Sequence, residues 1–246
     1  MSIESSRDLI GLRRAGRTVA MVLRRLQAEV RPGVTTRAID ALCDRLLAER
    51  GARHAPRDHY GFPGAICVSV NDEAVHGVPG ERVIRAGDLV KLDLVVEQDG
   101  YVADAAVTVV VSPASPQAER LAKCARRAFE RALPEIRAGR RIAQLGRAIE
   151  RETRRSGFTV LRELCGHGVG RAIHEPPEIP NFADPGCHGV LTEGLVIAVE
   201  PIIGCGGWRT RLGDDGWTIH TADGSLAAHH EHTLVVTRGA PIVLTA

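Results

Sequence analysis

At 246 residues, 44% hydrophobic and 25% charged, the chain is long enough to bury a sizeable core as one large domain or two small ones. A formal net charge of +2 without any block of basic residues removes the electrostatic case for nucleic acid or an anionic membrane as partner. No apolar run approaches the ~18 residues of a membrane span. Met1–Ser6 lacks the apolar core of a leader, and the six cysteines form no CxxC pair. Those features together read as a cytoplasmic protein with reduced thiols.

Ser5 or Ser6 caps a predicted helix to about Glu29, whose apolar stripe is Leu12, Val19, Leu23, Leu26 and Val30. Pro32-Gly33 ends it. Thr35 or Thr36 caps a second helix, closed by Gly51. A loop with Pro56 and Pro63, a strand over Ala65–Val70 and an irregular stretch holding His76 follow. Two apolar strands over 89–111 end this half. The second half repeats the order: helices at about 115–136 and 142–155, then a strand at 158–163. After Cys165-Gly-His-Gly-Val-Gly170 come a Pro-rich loop at 175–186 and strands at 195–203, 217–221 and about 228–236. Helix, helix, strand, hairpin, given twice, predicts two α+β halves around a shared sheet with a site at their junction.

The 89–111 stretch carries one carboxylate on each strand, Asp93 and Asp104, around an Asp99-Gly100 turn signal. With Asp99-Gly100 as a two-residue loop, Val95 lies opposite Asp104, and Asp93 shares that face at roughly 7 Å. A slip of one residue would put the two on opposite faces. Both strands are apolar on both sides, so two buried carboxylates must meet something cationic. A salt bridge to Lys91 and a metal ion both satisfy that requirement.

Further polar groups interrupt apolar segments. His167 sits among glycines and His174 precedes Glu175-Pro-Pro. Glu200 ends the run LVIAVEP, and Glu231 lies in HHEHTLVV. Singly, each has an ordinary explanation: a hydrogen-bonded structural histidine, a strand terminus, a solvated edge with half of 229–232 facing inward. Jointly, carboxylates with few histidines suit a pair of hard or borderline divalent cations, Mn, Fe, Co or Zn, better than a thiolate zinc site.

In order and spacing, the motifs RPGVTT, VNDEAVHGVPG, KLDLVVEQDGYVADAA, CGHGVGRAIHEPP, EGLVIAVEP and DGWTIHTADGSLAAHHEHT resemble the bacterial type I methionine aminopeptidases. The resemblance covers nearly the whole chain. It implies the pita-bread fold, α+β, with pseudo-symmetric halves of about 1–112 and 113–246 in a single catalytic domain over 1–246. A curved antiparallel sheet flanked by helices forms its centre. It implies hydrolytic removal of the initiator methionine from nascent polypeptides with a small second residue, by a water bridging two divalent ions. Asp93, Asp104, His167, Glu200 and Glu231 would be the metal ligands, with Asp104 and Glu231 bridging. His76 would meet the scissile amide nitrogen, His174 the carbonyl oxygen, and Glu200 would take the nucleophile's proton. Phe62, Cys67 and Trp217 would wall the methionine pocket. A monomer working near the ribosome suits nascent-chain substrates.

Two departures bear on side-chain selectivity. The family's Tyr-His-Gly-Tyr-Pro loop reads His59-Tyr60-Gly61-Phe62-Pro63, and Ile173 replaces the bulky aromatic before the second histidine. The rivals are an Xaa-Pro peptidase of the same fold, which carries a large extra N-terminal domain, and a catalytically silent binding protein, which loses ligands.

Overall fold

The computed structural model describes residues 1–246. Helix α1 (Ser6–Glu29) begins in a reciprocal cap: the Ser5 hydroxyl accepts from the Asp8 amide and the Asp8 carboxylate accepts from the Ser5 amide. The Thr35 hydroxyl caps α2 (Thr36–Ala48) by accepting from the Ala38 amide. After β1 (Arg53–His54), the stretch read as a loop contains a short helix, α3 (Ala55–Tyr60), ended by Gly61 at φ 74°. Pro56 sits at its start, where a missing N–H loses nothing. Strand β2 (Cys67–Val70) is shorter than expected, and β3 (Glu73–Val75) lies in the segment read as irregular.

The hairpin follows as β4 (Leu89–Gln98) and β5 (Tyr101–Val110), joined by Asp99 and Gly100 at φ 54° and 79°. Positive φ at both loop residues is the type I′ geometry that Asp-Gly favours. Val95 pairs with Asp104, and Asp93 with Ala106, in the expected register. β1 and β2 pair along the other edge of β4, so the strand is covered on both sides. Helices α1 and α2 pack Leu12, Val19, Leu26, Ile39 and Leu47 against this sheet.

The second half contains α4 (Pro116–Ala132), α5 (Ile142–Arg155), β6 (Thr159–Val160), β7 (Cys165–Gly168), β8 (Glu175–Pro180), β9 (Val196–Val199), β10 (Ile202–Gly204), β11 (Thr210–Leu212), β12 (Ile219–Thr221), β13 (Ala227–His229), β14 (His232–Val235) and β15 (Ile242–Val243). The Pro-rich stretch read as a loop supplies β8. It lies at the edge of the five-stranded sheet β15-β14-β9-β7-β8, where proline's missing donor is tolerated.

Two strands expected to be continuous are broken. At Glu200-Pro201 the chain leaves the five-stranded sheet (β9) for the three-stranded sheet β13-β10-β6 (β10). At His230-Glu231 it returns, from β13 to β14. Pro201 has no N–H to continue a ladder, and its carbonyl accepts from the His230 amide, so the two breaks face each other. Each break leaves a glutamate, Glu200 or Glu231, free of regular pairing with its side chain buried.

Glycines in CGHGVG make room for backbone. A Cβ on Gly166 would stand 2.4 Å from the Ala198 carbonyl oxygen, and one on Gly168 2.3 Å from that of Pro176. Gly166→Ala is therefore expected to push β7 off β9, destabilising the protein by about 1–3 kcal/mol and displacing His167. Thermal melting together with metal content checks both effects.

Candidate metal centre and substrate cavity

Asp93, Asp104, His167, Glu200 and Glu231 converge on one cavity of about 160 Å³. Each is less than a tenth exposed. Asp93 and Asp104 come from β4 and β5, His167 from β7, and the glutamates from the two strand breaks. A two-way exchange holds β5 to the second half. The Thr233 hydroxyl accepts from the Asp104 amide and donates to the Asp104 carbonyl, both at 2.8 Å. Glu231 exchanges backbone bonds with Ala106. Thr108 and His229 repeat the threonine exchange one step on, at 2.8 and 2.9 Å. The Asn181 side chain donates to the Glu200 carbonyl at 2.9 Å and fixes that break.

Lys91 does not answer the hairpin's charge. It is fully buried, its ammonium donates to the Asn71 carbonyl at 2.8 Å, and it pairs with no carboxylate. Burial pushes it down to about 7. Its side chain runs beside Ser69 and Thr108, away from the cavity that Asp93 lines.

The carboxylates are left with each other. Burial raises all four, and mutual repulsion adds to it: Glu231 and Asp93 on Asp104, Glu231, Asp104 and Asp93 on Glu200, Asp93 on Glu231. Asp93 is raised by burial alone and partly relieved by His229. Asp93 Oδ1, Asp104 Oδ1 and Glu231 Oε1 are buried without a hydrogen-bond partner. Buried acceptors are normally satisfied, so these orphaned oxygens fit a hard divalent cation. Ligand atoms of Asp104, His167 and Glu231 lie within 4.8 Å of one another, and so do those of Glu200, His229 and Glu231. Asp93 belongs to neither triad. His167 Nε2 is 3.5 Å from Glu200, its Nδ1 held by the Gly168 carbonyl at 2.9 Å. Burial lowers His167 to about 4, so it is a neutral donor at pH 7.

His229 was not singled out in the sequence, where 229–232 read as a half-solvated edge. None of the four is exposed, because His230 and His232 pack on Phe129 of α4. His229 is 1% exposed, 3.4 Å from Glu231 and 3.7 Å from Glu200, and neither ring nitrogen has a hydrogen-bond partner. It stands behind the cavity rather than in its lining. His229→Ala is expected to weaken metal affinity by about 10–100-fold, as for other groups that orient metal ligands; titration calorimetry of metal-free protein checks it.

His76 and His174 line the same cavity. His76 holds a left-handed φ of 58°, an uncommon conformation for a non-glycine residue. The His174 ring lies edge-on to His167 at 4.4 Å, and burial followed by the charge of His76 lowers its pKa. Phe62, Cys67, Ile173 and Trp217 supply apolar wall, with Phe62 and Trp217 packed edge to face at 5.4 Å. Burial and the nearby Asp93 keep the Cys67 thiol protonated. His59 is exposed and lines no part of the cavity.

A profile of metallopeptidase family M24 matches residues 11–238. Methionine aminopeptidase 2 of Bacillus subtilis is 39% identical over 247 residues, covering 100% of this chain and 99% of that one. The crystal structure of methionine aminopeptidase from Thermotoga maritima superposes with a TM-score of 0.96 at 36% identity, covering 100% and 99%. Prolidase from Pyrococcus furiosus shares the fold, with a TM-score of 0.80 at 21% identity, but this chain spans only 65% of it. The fold is thus the pita-bread fold, and the chain belongs to the methionine aminopeptidases of metallopeptidase family M24.

Proposed function

We propose that the protein removes N-terminal methionine from polypeptides with a small second residue, using Asp93, Asp104, His167, Glu200 and Glu231 to hold two divalent cations. The convergence of these five groups on one cavity, with orphaned oxygens and two further histidines facing in, carries this reading. Two donor triads that share Glu231 support a count of two ions. When bound, such a pair supplies Lewis-acid polarisation of the scissile carbonyl and a water acidified to near neutrality. The donor set accepts Mn, Fe, Co or Zn.

The chain's own groups do the rest. His174 donates to the carbonyl oxygen as negative charge develops there. His76, held at the cavity by its strained backbone, meets the amide nitrogen of the leaving residue. Glu200, buried at the strand break on the cavity wall, receives the nucleophile's proton. Phe62, Cys67 and Trp217 hold the methionine side chain, and the thioether suits a polarisable apolar wall. The cavity is smaller than the ~300 Å³ of typical small-molecule sites, which suits one terminal residue. We read the chain as one catalytic unit of two pseudo-halves, a cytoplasmic monomer that meets nascent chains near the ribosome. No helix is long and apolar enough to cross a membrane.

The test strips the protein with a chelator, restores single metals and offers Met-Ala, Met-Gly and Xaa-Pro peptides. Metal-dependent methionine release is expected. Release from Xaa-Pro peptides alone, or tight metal binding without hydrolysis, would contradict the proposal.

A further inference from the structure

Two substitutions in the HYGFP loop face the cavity, Tyr60 and Phe62, and Tyr60 stands where the resemblance places a histidine. Its hydroxyl lies 3.0 Å from Nδ1 of His174, and the two rings stack at 5.9 Å between centroids with their planes 25° apart. That contact is the sole hydrogen bond to the His174 side chain from the protein. Tyr60 is the last residue of α3, and Gly61 turns the chain immediately after it. The side chain is thereby carried by a helix end across to a residue 114 positions on.

A neutral imidazole has one nitrogen that donates and one that accepts. A phenol can serve either, so the contact has two forms: the phenol donates to a bare Nδ1, or an Nδ1–H donates to the phenol oxygen. If Nδ1 accepted from nothing and kept the proton, Nε2 would present a lone pair to the cavity. A lone pair there repels a carbonyl oxygen that is gaining negative charge. If the tyrosine O–H occupies the Nδ1 lone pair, the proton is confined to Nε2, which then donates into the cavity.

We propose that Tyr60 is a positioning residue that donates its hydroxyl proton to Nδ1 of His174, fixing the Nε2–H tautomer and the ring's orientation for oxyanion stabilisation. This rests on the reading of His174 given above. Tyr60 acts through His174 and touches no reacting atom. A metal-ligating histidine ordinarily gives its second ring N–H to a carboxylate or backbone carbonyl; here the polarity is opposite, a donor in place of an acceptor, as a histidine that must itself donate from Nε2 requires. The departure at position 60 thus bears on turnover, not on the choice of side chain in the methionine pocket.

The test pairs kinetics with tautomer assignment on zinc-loaded, ¹⁵N-histidine-labelled protein. Tyr60→Phe keeps the stacked ring, and with Tyr60 51% exposed the fold tolerates loss of the hydroxyl. In the wild type, His174 is expected to show a protonated Nε2 and an unprotonated, hydrogen-bonded Nδ1. In Tyr60→Phe the Nδ1 resonance should move toward that of a tautomeric mixture. The kcat on Met-Ala peptides should fall about tenfold, the value of one hydrogen bond, with KM and zinc stoichiometry unchanged. Wild-type kcat in Tyr60→Phe, a change confined to KM, or an Nδ1–H tautomer in the wild type would each overturn the proposal. Failure of the underlying reading looks different: the wild type would release no methionine with any metal, whatever tautomer His174 adopts.

Discussion

Asp104→Asn should abolish peptide hydrolysis while making the metal-free protein more stable. Asp104 is buried between Glu231 and Asp93, and one of its oxygens has no partner. Without a cation, that carboxyl is held well above its ordinary range, first by burial and then by Glu231 and Asp93. A folded-state pKa above the unfolded one means the folded protein holds the extra proton. Its stabilising contribution is complete below the ordinary carboxylate range and declines as pH rises through the raised value. Asparagine never ionises, and its amide donates to the neighbouring carboxylates that Asp104 repels. The gain in metal-free stability should therefore grow from pH 5 to pH 8, reaching about 1–3 kcal/mol or roughly 2–10 °C in melting temperature. Turnover should fall by at least about a thousandfold, because several kcal/mol of charge stabilisation disappear with the ligand. Melting curves with and without chelator, beside a methionine-release assay, read both effects. A less stable Asp104→Asn protein would mean that the cluster is a structural network.

Chelation of the wild type makes the complementary case. All four cavity carboxyls are raised by burial. As pH rises, the metal-free protein is increasingly driven to ionise them against one another, whereas in the loaded protein the cations would neutralise the ionised carboxylates. Metal present at a hundred times its dissociation constant should add about 2.7 kcal/mol, roughly 5–10 °C for a chain of this size. As pH falls, protons replace the cations and the two melting curves should converge. Scanning calorimetry across pH 5–8 measures the gap. A gap that stays constant, or widens in acid, counts against a carboxylate-held metal.

Local signals in the sequence were faithful where a few residues decide the outcome. Ser5 with Asp8 starts α1, and Asp99-Gly100 sets the register that places Asp93 and Asp104 on one face. What sequence could not reveal depends on the other half of the chain. LVIAVEPIIG and AAHHEHTLVV look like unbroken strands, because nothing local says that each crosses between sheets at its glutamate. Pro201 was the available hint for the first crossing. The 229–232 run looked half-solvated because the cover, Phe129, is remote in sequence. Thr233, Thr108 and Asn181 carry no motif, and only the assembled backbone gives their side chains a task. His59 drew notice as part of a motif, yet the turn of α3 sends it outward and Tyr60 inward.

The threonine exchange between β5 and the last strands spans 129 residues, from Asp104 to Thr233. During synthesis, the N-terminal half emerges and collapses first. Its hairpin must then expose Asp93 and Asp104 to water, with no Glu231 or His167 beside them. Two hydrated aspartates are a weak trap for a transition metal. The proposed ligand set is thus complete only when the final strands have docked. Docking of Thr233 onto Asp104 brings Glu231 and His167 beside the hairpin aspartates, so the contact that joins the two halves also assembles the candidate metal centre.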